Sequence, residues 1–265
     1  MGIALDTVLT SVANPGANYT ATAAATGDSL TVRNFATTSS AMLESIIRQG
    51  AASGAVRVRS PLFADDTQGI RFYSAETPTV YLLPPQVGEP LRAGDELTVE
   101  VTGGTAETDL AVLVNYYADL PGAAPRLYDW SSINGNVAHI KPVVVAVTTN
   151  ATIGQWEDTA ITTTENLLHA DTDYAVLGFV TDSALAVIGI KGSETNNFRI
   201  CGPGTTATDD TSRWFIDQSN YHGTPHIPVF NSNNRDNVYV STAADTASAT
   251  ANVTMVLAQL KNKLA

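Results

Sequence analysis

The chain has 265 residues, a formal net charge of −12, and 44% hydrophobic against 15% charged residues. That is enough apolar material for a sizeable core, in one large β domain or two of ordinary size. Acidic residues outnumber basic ones in both halves, 14 to 7 in residues 1–130 and 12 to 7 in 131–265, and no Lys/Arg cluster occurs, which argues against a nucleic-acid groove.

Low charge with many Ala, Thr, Ser and Asn gives neutral surfaces, which can pack against other protein without desolvating ions. A single cysteine, Cys201, excludes an internal disulfide framework. The opening MGIALDTVLTSVANPG lacks the basic and long apolar regions of a signal peptide and matches a myristoylation signal only weakly. No apolar run reaches the length of a membrane span. The expectation is a soluble protein made in a cytoplasm.

Taken in chain order, strand patterns dominate. They fall at 29–35, 54–60, 69–74, 79–83, 96–103, 109–120, 139–149, 172–181, 184–192, 198–202, 226–232, 237–243 and 252–260, with Gly, Pro, Asn, Asp and Ser between them. Two helices are expected. One is SSAMLESIIRQG (39–50), with Met42, Leu43, Ile46 and Ile47 on one face and Gly50 as a stop; the other is DDTSRWFIDQSN (209–220). Many short strands at this spacing indicate a sandwich or barrel.

The segments 53–76 and 184–205 match in kind. Each is a strand, a polar turn and a second strand with an apolar-Arg-apolar centre. Ile70-Arg71-Phe72 aligns with Phe198-Arg199-Ile200, so Cys201 aligns with Tyr73. The following segments 79–120 and 226–260 each carry three strands and end on Leu120 and Leu260. The chain therefore reads as two versions of one β module, residues 1–125 and 126–265, joined near 121–136 with Tyr128 and Trp130 buried between them. The last strand of each module is expected to be buried, so that Val256→Asp would abolish the soluble fold.

Paired hairpins, paired terminal strands and the helix-bearing loop 209–220 give an all-β fold of two tandem jelly-roll β-sandwich modules with short helices in loops. This resembles the double jelly-roll major capsid proteins of icosahedral bacterial viruses, over most of the chain after residue 20. The resemblance implies a homotrimer forming a pseudo-hexagonal tile, and tiles meeting edge to edge in a virion capsid assembled in the host cytoplasm, alongside other virion proteins. Residues 1–20 depart from the basic or amphipathic arm that some capsid proteins carry, so direct genome contact is not expected.

Catalytic and metal patterns are weak, and no catalytic, cofactor or metal residue is assigned. HGTPH places His222 and His226 four apart, but Gly223 and Pro225 bar a helix there, and only Asp217 lies close in sequence as a third ligand. Loop hydrogen bonding is the plainer reading of these two, and His139 and His169 have no grouping. Asp65-Asp66, Asp95-Glu96, Asp209-Asp210 and the oxygen-rich 231–237 read as solvated turns, with a structural Ca²⁺ at a subunit contact as the secondary reading.

GDSL (27–30) lies between strand patterns, has no late Asp-x-x-His, and reads as a β turn. Tyr73, Tyr81, Tyr116, Tyr117, Tyr128 and Trp130 would line a sugar site if exposed. An accessory virion or cell-surface carbohydrate-binding β sandwich is therefore the alternative to a capsid subunit. An enzyme is not expected. Cys201 in FRICGPG (198–204) reads as a small side chain at a strand end against a neighbouring module or subunit, with Phe198 and Ile200 on one strand face and Arg199 and Cys201 on the other.

Overall fold

The computed structural model describes residues 2–35, 39–63, 67–74, 78–85, 88–161, 168–204 and 211–264. The strands in chain order are β1 (Gly2–Ala13), β2 (Thr20–Ala21), β3 (Ala23–Ala24), β4 (Ser40–Gln49), β5 (Gly54–Arg59), β6 (Ile70–Ser74), β7 (Thr79–Leu82), β8 (Glu89–Leu91), β9 (Thr98–Thr102) and β10 (Thr108–Leu120). They continue with β11 (Leu127–Tyr128), β12 (Val137–Thr148), β13 (Glu157–Ala160), β14 (Asp173–Thr181), β15 (Val187–Gly192), β16 (Ile200–Pro203), β17 (Ile227–Asn231), β18 (Val238–Ala243) and β19 (Thr250–Leu260). Helix α1 (Trp130–Ile133) precedes β12, and α2 (Trp214–His222) lies between β16 and β17.

The strands form four antiparallel sheets, and the first two share their strand order with the second two. A large sheet runs β3-β1-β10-β4-β7, with β8 also on β4; its counterpart runs β12-β19-β14-β17-β11. The small sheets run β2-β9-β5-β6 and β13-β18-β15-β16. Even an irregularity recurs. Between β4 and β10, Leu43 and Ser45 face consecutive residues, leaving Glu44 as the extra residue of a bulge. Between β14 and β19, Val176 and Gly178 do the same, leaving Leu177. A bulge re-aims one side chain, and here it aims an ionisable one in the first half and an apolar one in the second.

Side-chain alternation assigns the faces. In the first half, Val8, Ile46 and Leu113 of the large sheet pack on Val56, Val58, Val99 and Val101 of the small one. In the second, Val145, Val176, Val253 and Met255 pack on Ile188, Ile190, Val238 and Val240. The outer face of the first large sheet (Leu9, Ile47, Leu110, Val112) is covered in turn by Val187, Cys201 and Ala243 of the second small sheet. The layers thus run small, large, small, large, and the first large sheet is buried on both faces.

That double burial corrects the expected helix at 39–50, which is strand β4. Seven consecutive residues, Leu43 to Gln49, are buried. A strand covered on both faces reads as a continuous apolar run, in which an i, i+3, i+4 subset is always found. The expected strand at 29–35 is reduced to one bridge, Thr31 to Glu96. β1, not anticipated within residues 1–20, pairs along the length of β10.

The second expected helix exists as α2, later than 209–220; residues 209–210 lie outside the described residues. It ends where Gly223 takes φ 67°, a left-handed conformation that favours glycine. Within β19, expected to be buried, Val256 is half-buried and packs against the second core, while Met255 and Leu257 on either side of it are fully buried.

Candidate functional site

The seam between the two halves concentrates the ionisable chemistry. It forms because β1 exposes an apolar outer row, and β16 lies alongside with Thr7 N donating to Arg199 O at 3.1 Å. Arg199 is the hub. Its guanidinium lies 3.0 Å from Asp158 and 3.5 Å from Asp28, with its carbon 5.0 Å from the centroid of Trp156. Asp28 accepts from Trp156 Nε1 at 2.7 Å and from Leu9 N at 2.8 Å, joining the first half to the second. Burial raises its carboxyl pKa, only partly offset by these donors. Asp158 is held low instead, because Ser241, Lys191 and Arg199 together outweigh its desolvation. Phe198 enters the first half's core, edge-on to Phe35 and beneath Arg33. It does not share a strand face with Ile200, because β16 begins only at Ile200.

A second cluster lies where α2 meets β4. β17 pairs β14 only over Asp173–Ala175, and beyond that Phe179 N donates to Thr211 O, which starts the turn into α2. Phe215 anchors the helix edge-on against Phe179. His222 closes α2, and the turn 223–226 brings His226 back beside it. Both rings meet Glu44, the bulged residue of β4. His226 Nε2 lies 2.9 Å from one Glu44 oxygen, and His222 Nδ1 lies 3.8 Å from the other. The rings are 10° from parallel with centroids 5.0 Å apart.

All three side chains are closed to solvent. Among the described residues His222 Nε2 has no hydrogen-bond partner. Burial lowers the His222 pKa more than Glu44 raises it, so the ring is favoured neutral. Beside the cluster is a cavity of about 10 Å³, lined by Glu44, Ser45, Gln218 and His226, the size of one water. Two imidazoles and a carboxylate form a donor set suited to a transition metal.

The partner of these histidines lies 182 residues away from His226, so it could not be read from local spacing. Asp217, the nearby acidic residue, pairs instead with Arg213 on the exposed side of α2. His139 and His169 are exposed elsewhere. Cys201 is buried in the seam; burial pushes its thiol up to about 12 despite the Thr7 hydroxyl and the Arg199 charge.

In GDSL, Asp28 belongs to the seam, and exposed Ser29 accepts from Thr31 N at 3.0 Å. Asp95 is buried and bonded by the Ser60 hydroxyl. Asp65-Asp66 and Asp209-Asp210 lie outside the described residues. In 231–237 the amide nitrogens of Asn231 and Asn234 donate to Asp173 and Glu194, whose carboxylates Arg126 also bridges, while the Asn231 and Asn233 oxygens accept from the backbone N–H groups of Asn233 and Asp171. Of the six aromatics, Tyr116 and Tyr117 are buried, Tyr81 stacks on Phe72, Tyr128 and Trp130 pack on the second core, and Tyr73 stands 72% exposed.

The two outermost layers keep a free face. The first small sheet presents Tyr73 with Arg71 and with Arg57 and Arg59, which share Glu100. The second large sheet presents Ile140 (55% exposed) and Val144 (49%), with Pro142 beside them and Val256 half-buried.

No protein-family model matches the chain. Nor does any curated protein. Among solved structures it is similar to one described as "Crystal structure of PBSX exported protein XepA", at 9% identity over 95% of this chain and 85% of that one, with a TM-score of 0.23. Similarity at that level transfers neither fold nor role.

Proposed function

We propose that the chain is a structural subunit of a virion shell, folded as two jelly-roll modules (1–125 and 126–265) and acting by self-association rather than catalysis. The shared strand order supports the jelly-roll reading. Each half pairs a large sheet, of six strands in the first and five in the second, with a four-stranded one, and chain-adjacent strands repeatedly lie in opposite sheets, as the Greek keys of a jelly roll require.

The observation that carries the assembly reading is the polarity of the seam. The outer face of a large sheet meets the outer face of a small sheet, so the contact is head-to-tail. Such a contact uses different patches on its two sides and, repeated by a rotation that closes, it makes a ring. Each chain has one of each patch left over. Tyr73 faces Ala55 across β5–β6 as Cys201 faces Gly189 across β15–β16. Cys201 is buried by the neighbouring half, whereas Tyr73 stands exposed. At the other end, Val144 and Val256 hold the places that Val112 and its neighbours fill in the seam. Three chains joined through these two faces would give a trimer of six modules. Trimers meeting at their edges would then form the shell, in the host cytoplasm and with other virion proteins.

The exposed Tyr73 beside Arg57 also suits a sugar ring, so a carbohydrate-binding role is the second reading. Sizing chromatography with light scattering, followed by negative-stain microscopy, separates the two. Trimers with shells or sheets support the subunit. A persistent monomer retained on a glycan column overturns it.

A further inference from the structure

We propose that Glu44, His222 and His226 form a transition-metal site, of the zinc class, that pins the two halves of the chain together. The inference stands on the geometry of the seam and holds whether or not the chain builds a shell.

The contacts of His226 leave a place for an electrophile between it and Glu44. Its Nδ1 lies 3.0 Å from the Thr224 carbonyl oxygen, which can only accept. The Thr224 hydroxyl lies 3.3 Å from the same nitrogen and can donate to it, so Nδ1 either gives its proton to the carbonyl or accepts from the hydroxyl; in the first tautomer the neutral ring leaves Nε2 with a bare lone pair. Yet Nε2 sits 2.9 Å from a Glu44 carboxylate oxygen, another acceptor. Two lone pairs do not meet in a closed interior unless a cation or a second proton lies between them.

His222 supplies a third ligand. It faces the same carboxylate, but at 3.8 Å it is beyond hydrogen-bond reach, and its buried Nε2 is unpartnered among the described residues. An ion at the centre would take His222 Nδ1, a Glu44 oxygen and His226 Nε2 together, whereas a proton on His226 engages only the Glu44–His226 pair.

The dimensions agree. Ligand atoms each about 2.0–2.1 Å from a tetrahedral ion lie about 3.3 Å from one another. His226 Nε2 lies 2.9 Å from one Glu44 oxygen and His222 Nδ1 lies 3.8 Å from the other, and one ligand atom from each residue lies within 4.8 Å of the other two. Binding would tilt the two near-parallel rings toward each other. The adjoining cavity has room for one water, a fourth ligand. The Thr224 carbonyl is the outer partner that fixes the tautomer of a metal-bound histidine. Three ligands from two halves also give the bulge at Glu44 a purpose that Leu177 of the second half lacks.

The test uses the whole chain. It is dialysed against chelator, then titrated with zinc and separately with cobalt(II). The expected results are one zinc per chain by elemental analysis after gel filtration, a rise in unfolding temperature with zinc, and cobalt absorption in the visible range typical of four-coordination. His222→Ala and Glu44→Gln should each weaken binding at least tenfold. Failure of the wild-type chain to hold zinc or cobalt through gel filtration overturns the site, as does full retention of binding in both variants. The cobalt spectrum of the wild type decides the matter even if a variant fails to fold.

Discussion

Arg48 of β4 reaches diagonally to Asp109 of β10 at 2.5 Å, and both side chains are wholly closed to solvent. Arg48 also donates to Ser74 Oγ and to the carbonyls of Ala52 and Thr102. Gly50 and Gly103 press against the Asp109 carboxylate so closely that a Cβ on either would overlap it. The pair closes the end of the first sandwich, where the strands give way to loops.

Removing one partner strands the other as a buried charge. Arg48→Met is expected to cost about 3–5 kcal/mol. Urea unfolding near neutral pH measures it, and a loss below about 1 kcal/mol would show that solvent reaches the site.

Asp109 should also leave a signature in the pH dependence of stability. Burial outweighs Arg48 and raises its pKa from 3.8 to about 6. The native state then holds this proton more tightly than the unfolded chain. The contribution of the group is largest below about pH 4 and declines as pH rises through about 6. In Asp109→Asn that decline should vanish from the stability–pH curve, and an unchanged curve would refute the shift.

Cys201 should be inert in the native protein. With its thiol pushed up to about 12 and its side chain sealed in the seam, it presents almost no thiolate. A chromogenic disulfide reagent should react with it only after denaturant opens the chain. Prompt native labelling would mean that the two halves separate.

Adjacent residues of β19 should separate folding from assembly. Met255 is fully buried, and Met255→Ala is expected to cost about 2–5 kcal/mol. Val256 is only half-buried beside it, so Val256→Asp should lower the unfolding midpoint less than Met255→Ala and abolish self-association, as should Tyr73→Asp on the opposite face. Loss of fold in Val256→Asp would return that residue to the core.

Arg199→Ala removes the link between Asp28 and Asp158. A loss of about 1.5–3 kcal/mol is expected, typical of charged hydrogen bonds, with a change in Trp156 fluorescence as its stacked cation leaves. Unchanged stability and emission would show that the seam does not depend on this hub.

The sequence by itself determined that the chain is mostly β and that its strands recur in two matching series, because alternation and turn residues are properties of short windows. The alignment of Cys201 with Tyr73 came from the same local pattern and agrees with the strand pairing. Other features were decided only by tertiary structure. β4 resembles a helix in sequence because both of its faces are covered, which no window can reveal. His222 and His226 were visible as a pair, but the carboxylate between them comes from a bulge in the other half of the chain. Which faces meet is set by the packing of whole sheets, and that packing joins Glu44 to a turn 182 residues beyond it.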